Sequence, residues 1–288
     1  MREILITTES GSDVPKWMQD KYGFIVLPMH VTMGDQTFDD GAVPIKDLYA
    51  YYDRTGDTPK SSADNVQDYI DFFTKLQAGH PGCVIYNFAL ASGISTNYEH
   101  SVIAAREFRD VYTIDTMRFG AGCIAYLMEA YRLLQAKGGS ENITDYDGLA
   151  KEFAAIAPKI QSSFVPDSLE FLRSGGRVTN AAYIASSLLK IKPLIEPDAA
   201  GHLLATKKYR GPMIKVCERY IEDVCERYDV KKDTLYIMYC EGISQEVLDK
   251  MEQTALRLGF RQCLFNVCGA VITCHGGKAA VGLGVVLN

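Results

Sequence analysis

The sequence predicts an α/β protein of two domains: an N-terminal three-layer domain with a parallel sheet and a C-terminal two-layer domain with a mixed sheet. The chain has 288 residues, of which 47% are hydrophobic, enough for two ordinary cores. Buried-strand patterns alternate with helical patterns through residue 139, which is typical of a parallel sheet covered on both faces. Paired strands around a turn then appear. We place the domains at 1–155 and 156–288.

In the first half, each β-rich run is followed by a helical pattern. The run at 3–10 is typical of a strand, and Pro15 then begins a helix that Gly23 ends. The segment 36–44 is rich in turn residues and is expected to be a link. Further strands are predicted at 24–34, 83–90 and 110–115, and helices at 45–56, 65–79, 95–108 and 116–139.

The second half has a different pattern. Two strands, 191–198 and 202–211, are expected to flank a turn. The final stretch, 263–288, is expected to hold strands separated by glycine turns. Helices are predicted at 144–158, 212–228 and 244–259, and a strand at 234–240.

Composition excludes several classes of protein. The net charge of −6 argues against general nucleic-acid binding, which depends on neutralising phosphates. No secretory signal or membrane-length apolar run is present, so we expect a cytoplasmic protein. The eight cysteines form no C-x-x-C pair. Cys263, Cys268 and Cys274 precede His275, but their irregular spacing favours reduced core thiols, and we predict no metal site.

Three polar clusters follow predicted strands of the first half. Ligands collect at the carboxyl ends of strands in open α/β sheets, and hydroxyls with free backbone N–H groups bind anions there. Helix N-capping explains the same residue types. The clusters are Thr7, Thr8, Glu9, Ser10 and Ser12; Ser61 and Ser62; and Ser92, Ser95, Thr96 and Asn97.

The segment FLRSGGR, at 171–177, places two glycines directly before an arginine. Glycines end helices and permit turns, and they also bring bare backbone close to an anion. Known nucleophile and phosphate-loop motifs are absent, including G-x-S-x-G and G-x-x-x-x-G-K-[ST]. His275, between an apolar run and a glycine turn, leaves a serine–histidine hydrolase as an open alternative.

Taken in order, these motifs resemble the DegV-like proteins, the fatty-acid-binding subunits of bacterial fatty acid kinase. The resemblance covers essentially the whole chain, and its most specific part is FLRSGGR followed by IKPLIEPDAAG and KKYRG. It implies that a long-chain fatty acid lies in an apolar tunnel with its carboxylate at the domain junction. It also implies that a separate kinase subunit phosphorylates the carboxylate to an acyl-phosphate.

The resemblance also implies site residues. The carboxylate-binding candidates are Ser61, Ser62, Ser95, Thr96 and His275, and Arg177 is expected behind them or facing the kinase. The chain departs from the family pattern at several positions. Ser61 stands where the family usually has threonine, and Thr96 and Asn97 replace glycine and threonine after Ser95. Glu9 stands in place of an aspartate, and Thr116 in place of a serine. Ordinary core packing is the favoured explanation for each candidate of the tunnel wall. These candidates are Phe164, Leu169, Phe171, Leu172, Ile184, Leu188 and Leu189.

The expected function is therefore a non-catalytic lipid-binding subunit without a cofactor. Its expected partners are the fatty acid and the kinase catalytic subunit, with only transient membrane contact for lipid exchange. Two other readings stay open at this point. One is a stand-alone Ser/His hydrolase or transferase on a small acyl substrate, and the other is a binding module for a different anion, such as a phosphorylated metabolite.

Overall fold

The computed structural model describes residues 2–177 and 191–288. Its first sheet is parallel and has four strands. In spatial order these are β2 (Phe24–Leu27), β1 (Ile4–Glu9), β6 (Val84–Ala89) and β7 (Val111–Asp115). Both β1 and β6 are buried along their whole length. This agrees with the continuous apolar runs that predicted a sheet covered on both faces.

Helices cover both faces of the parallel sheet. Leu5 of β1 packs with Tyr69 and Phe73 on one face, whereas Ile4 and Ile6 pack on the other. The first face is covered by α3 (Val66–Gly79) and α4 (Asn97–Ala105), and the second by α1 (Lys16–Tyr22), α5 (Ala121–Ala136) and α6 (Tyr146–Ala154). These three layers are the predicted ones.

The second sheet is mixed and has six strands. In spatial order they are β10 (Leu203–Arg210), β9 (Ile191–Pro197), β8 (Ile160–Val165), β13 (Val281–Val286), β11 (Thr234–Tyr239) and β12 (Gln262–Val267). Only β11 and β12 pair in parallel within it. A short helix, α7 (Glu170–Ser174), follows β8, and α8 (Met213–Arg227) and α9 (Gln245–Arg257) cover one face. The predicted fold class is confirmed.

The other face of the mixed sheet packs directly on α5, so this helix lies between the two sheets. Glycines allow the close approach. A Cβ added at Gly284 would lie 2.2 Å from the Ala121 carbonyl oxygen, and one at Gly122 would lie 2.3 Å from Ser162 Cβ. The domain boundary at 155/156 stays a prediction. It falls between the end of α6 and the first strand of the mixed sheet.

A small antiparallel sheet was not predicted. Its strands, in spatial order, are β4 (Gln36–Asp39), β3 (His30–Met33) and β5 (Lys60–Ser62), and α2 (Ile45–Thr55) joins β4 to β5. The expected turn-rich link at 36–44 therefore begins as a strand. Residues of β4 are largely exposed, so no alternation of buried and exposed residues marked it in the sequence.

The expectation of strands throughout 263–288 was wrong for one segment, which forms the helix α10 (Ala270–Gly276). The first N–H groups of this helix are held by carboxylates distant in sequence. Gly269 N–H donates to Asp13 Oδ1 at 2.9 Å and Ala270 N–H donates to Asp40 Oδ1 at 2.9 Å. The first N–H groups of a helix have no partner within that helix, and here two distant carboxylates accept from them in place of a local capping side chain. Within residues 2–177 and 191–288, no helix is long and apolar enough to cross a bilayer.

Candidate functional site

A cavity of about 880 Å³, counting its open mouth, lies between the two sheets. On the parallel-sheet side the wall comes from residues just beyond strand ends, including Leu90 after β6 and Phe119 after β7. On the mixed-sheet side it includes Phe164, Leu203 and Met238. The cavity thus lies where strands of an open α/β sheet end, the expected place for a ligand.

The polar groups of Ser61, Ser95, Arg177 and His275 also line the cavity. Ser61 Oγ and His275 Nε2 are 2.7 Å apart. Arg177 donates from Nε to the Ile94 carbonyl at 3.3 Å and from Nη1 to the Gly175 carbonyl at 2.5 Å. These bonds place the guanidinium beside the backbone of Ile94 and of Gly175. We refer to the four cavity-lining residues Ser61, Ser95, Arg177 and His275 as the polar region of the wall.

The structure brings only one residue of each predicted hydroxyl pair to the wall. Successive residues of a strand point to opposite sides, so Ser61 of β5 faces the cavity while Ser62 is exposed. Ser95 lines the cavity and its Oγ accepts the Asn97 N–H at 3.3 Å, whereas Thr96, the residue before α4, is exposed. Neither Ser62 nor Thr96 belongs to the cavity wall.

His275 is held in its neutral form. Burial lowers its pKa from 6.5 to about 4, and the nearby charge of Arg177 acts in the same direction. Its Nδ1 is enclosed without a hydrogen-bond partner. An unpaired lone pair is tolerated better than an unpaired N–H, so we assign the ring proton to Nε2. Nε2–H then donates to Ser61 Oγ, which leaves the Ser61 O–H free to donate into the cavity.

The two glycines of FLRSGGR have separate structural causes. Gly175 has ordinary helical backbone angles, but a Cβ there would lie 2.3 Å from His275 Nδ1. Gly176 has φ of +67°, a conformation that favours glycine, and it turns the chain out of α7. The pair therefore makes room for the imidazole and then directs Arg177 to the cavity. The turn is confirmed, and the approach of this backbone to an anion stays a prediction.

The lowered pKa of His275 predicts a pH-dependent stability. Unfolded histidine takes up a proton near pH 6.5, whereas the folded ring does not until about pH 4. The free energy of unfolding should therefore fall as pH drops through this window, by up to about 3 kcal/mol from this one group. Chemical denaturation of His275→Asn should show a shallower fall, while the exposed His202→Asn should match the wild type. Equal slopes in all three proteins would contradict the assignment.

The predicted tunnel wall is partly reproduced. Phe164 and Leu172 line the cavity. Leu169 is buried without lining it, and Phe171 packs against the rings of Tyr49 and Tyr52. The candidates Ile184, Leu188 and Leu189 lie outside the described residues.

Sequence analysis missed most of the wall. Some of the missed residues follow a strand, where the signal that finds the first-half hydroxyls also marks them, and others lie within strands of the mixed sheet or in α10. They include Met29, Leu90, Phe119, Ser163, Leu203, Met238, Cys240, Cys268, Val271 and Ile272.

The sheets and the cavity define a two-lobed α/β protein with an internal, mainly apolar site. The model of the DegV family of uncharacterised proteins matches residues 3–288, so the chain belongs to the DegV family. The DegV domain-containing protein YteA of Lactococcus lactis is 27% identical over 289 residues, which cover 96% of each chain.

Solved structures share the fold. One, described as showing fatty acid binding by a DegV family protein from Thermus thermophilus, superposes with a TM-score of 0.84 at 21% identity and full coverage of both chains. Another, the Fatty Acid Kinase (Fak) B3 protein of Streptococcus pneumoniae loaded with linoleic acid, has a TM-score of 0.82 at 15% identity, covering 99% of this chain and 100% of that one.

Proposed function

We propose that this protein binds one long-chain fatty acid in the cavity between its sheets and presents the carboxylate to a separate kinase subunit. The observation that carries the proposal is the combination of a mainly apolar wall with two free hydroxyls in one polar region. A fatty acid needs both parts. The Thermus and Streptococcus relatives are described as fatty-acid-bound, which supports this choice of ligand.

The energetics favour a tail that is buried and a head that is hydrogen-bonded. Each buried methylene contributes about 0.8 kcal/mol, so about 15 of them supply on the order of 10 kcal/mol before the costs of binding. A carboxylate removed from water costs several kcal/mol unless donors meet it. Ser61 and Ser95 supply neutral donors, and Arg177 makes the local potential more positive. No metal or catalytic base is needed for binding.

A hydrolase is the second candidate, because Ser61 and His275 are as close as a nucleophile and its general base. Two observations weigh against it. No acidic group accepts from His275 Nδ1, which lacks any partner among the described residues. Its pKa of about 4 also makes the imidazole a poor base at neutral pH. A phosphorylated metabolite fits less well, since a mainly apolar wall offers it little.

Native mass spectrometry of the protein purified from bacteria tests the proposal. We expect a co-purifying mass of a C14–C18 fatty acid, removed by delipidation and restored by reloading. A protein that carries none and takes up none after delipidation would refute lipid binding. Hydrolysis of generic esters that is lost in Ser61→Ala would instead favour the hydrolase.

Arg177 is expected to act in presentation of the carboxylate to the kinase rather than in retention of the fatty acid. Its side chain is exposed and reaches the cavity from the loop after α7, so it is accessible to a partner protein. We expect Arg177→Ala to keep fatty-acid retention within a few-fold of the wild type, while acyl-phosphate formation with a fatty acid kinase falls at least tenfold. Retention is read by native mass spectrometry and phosphorylation by ATP consumption. Equal losses in both would contradict this division of roles.

A further inference from the structure

A second cluster of polar side chains lies on the small antiparallel sheet, outside the cavity wall. His30 begins β3, Asp64 follows β5, and Asp68 lies in the first turn of α3. One ligand-type atom from each of the three, an imidazole nitrogen or a carboxylate oxygen, lies within 4.8 Å of the other two. Two segments distant in the chain, β3 and the stretch from β5 into α3, therefore bring one nitrogen and two oxygen donors together.

Asp64 is the unusual member of this cluster. Its side chain is 0% exposed, and neither carboxylate oxygen has a hydrogen-bond partner. His30 Nε2 lies 3.9 Å from Asp64 Oδ1, which is too far for a hydrogen bond. The neighbouring carboxylate of Glu9 supplies no donor and already accepts from Tyr69, Asn87 and the Leu90 N–H. A buried carboxylate without any compensating group is strongly unfavourable.

His30 is oriented as a metal ligand is. Its Nδ1 lies 3.1 Å from Asp39 Oδ1, so the proton on that nitrogen is donated to a carboxylate. Carboxylate partners of this kind fix the tautomer and orientation of metal-binding histidines. The free Nε2 then points toward two carboxylates, at 3.9 Å from Asp64 Oδ1 and 3.7 Å from Asp68 Oδ2. The space between the Nε2 lone pair and the two carboxylates can therefore hold a cation, whose positive charge the carboxylates would balance.

We propose that His30, Asp64 and Asp68 bind a divalent transition-metal ion. Two ligand atoms that are each about 2.1 Å from one ion are separated by at most about 4.2 Å, which accommodates both distances from Nε2. A set of one imidazole and two carboxylates suits Zn²⁺ and its neighbours, whereas Mg²⁺ and Ca²⁺ prefer oxygen alone. The side chains of His30 and Asp68 are each about 30% exposed, so the ion can enter and complete its shell with water.

The site has a structural consequence near the cavity. His30 is paired in register with Ser62, the residue after Ser61, and Asp64 lies two residues further along. A bound ion would connect β3 to the segment between β5 and α3. It would thereby restrain β5, the strand that contains Ser61. The proposal does not depend on fatty-acid binding, because its ligands are outside the cavity wall. The site was not predicted from the sequence, because His30 is far from both acids in the chain.

Titration of the full-length, metal-free protein with Co²⁺ tests the proposal. We expect one equivalent to bind with visible absorption bands but without the intense sulfur-to-metal charge-transfer band that binding by any of the eight cysteines would give. With free Co²⁺ at about a hundred times its Kd, the melting temperature of the protein should rise by about 5 °C. Absence of a Co²⁺ complex with only nitrogen and oxygen ligands would overturn the proposal, and Asp64 would then be in its neutral, protonated form.

Two variants localise the site. Asp64→Asn and His30→Gln should each weaken Co²⁺ binding at least a hundredfold and abolish the melting shift, whereas His80→Gln should keep both. His80 is a matched control because it pairs with Glu3 on the surface at 2.8 Å. If Asp64→Asn fails to fold, His30→Gln alone decides, and wild-type binding in it would refute the assignment.

Discussion

Replacing both Ser61 and Ser95 by alanine should weaken fatty-acid retention about 30-fold or more, without loss of the fold. Each hydroxyl that no longer donates to a desolvated carboxylate is expected to cost about 1–2 kcal/mol, and tenfold in affinity corresponds to 1.4 kcal/mol. The free O–H of Ser61 depends on His275 donating to its oxygen at 2.7 Å. Dissociation of a fluorescent fatty acid from delipidated and reloaded protein measures the effect.

The chain offers a matched control for this experiment. Ser62 and Thr96 are the next residues after Ser61 and Ser95, carry the same functional group and are exposed rather than in the cavity wall. The double variant Ser62→Ala with Thr96→Ala should therefore retain fatty acid as the wild type does. If this control loses as much affinity as the Ser61 and Ser95 pair, the hydroxyls do not contact the carboxylate as proposed.

The same residues show how far sequence reasoning reaches. Alternation of buried strands and helices predicted the parallel sheet, because that pattern follows directly from which faces must be buried. The sequence pattern could not show which of Ser61 and Ser62 faces the cavity. Strand β5 has only three residues and lies between two loops, so its sequence carries no period from which a face can be assigned. The choice is made by pairing with β3, a contact between distant parts of the chain.

Helix α10 illustrates a second limit. The segment AVITCHG is rich in residues that favour strands, and it forms a helix because Asp13 and Asp40 hold its first N–H groups. This packing also brings His275 to the end of that helix beside Gly175. Predicting the polar region thus required knowing a long-range contact that local propensity does not encode. His275 was singled out by its place before a glycine turn and by the resemblance to a family.

The apolar part of the cavity predicts a steep dependence on chain length. Each added methylene that enters it contributes about 0.8 kcal/mol, or about fourfold in affinity. Lengthening a saturated fatty acid from C10 to C16 should therefore strengthen binding on the order of a thousandfold, until the tail fills the cavity. Competition against a fluorescent fatty acid, with every ligand kept below its micelle concentration, gives the relative affinities.

Two ligand series separate the tail from the head. Methyl esters should show the same increase per methylene at lower affinity throughout, because they keep the tail and lose the charged acceptor. A C16 dicarboxylic acid should bind far more weakly than the C16 monoacid, since its second carboxylate would lie among side chains such as Phe119, Leu203 and Met238. Affinity that is independent of chain length, or equal for the diacid and the monoacid, would mean that the tail does not occupy this cavity.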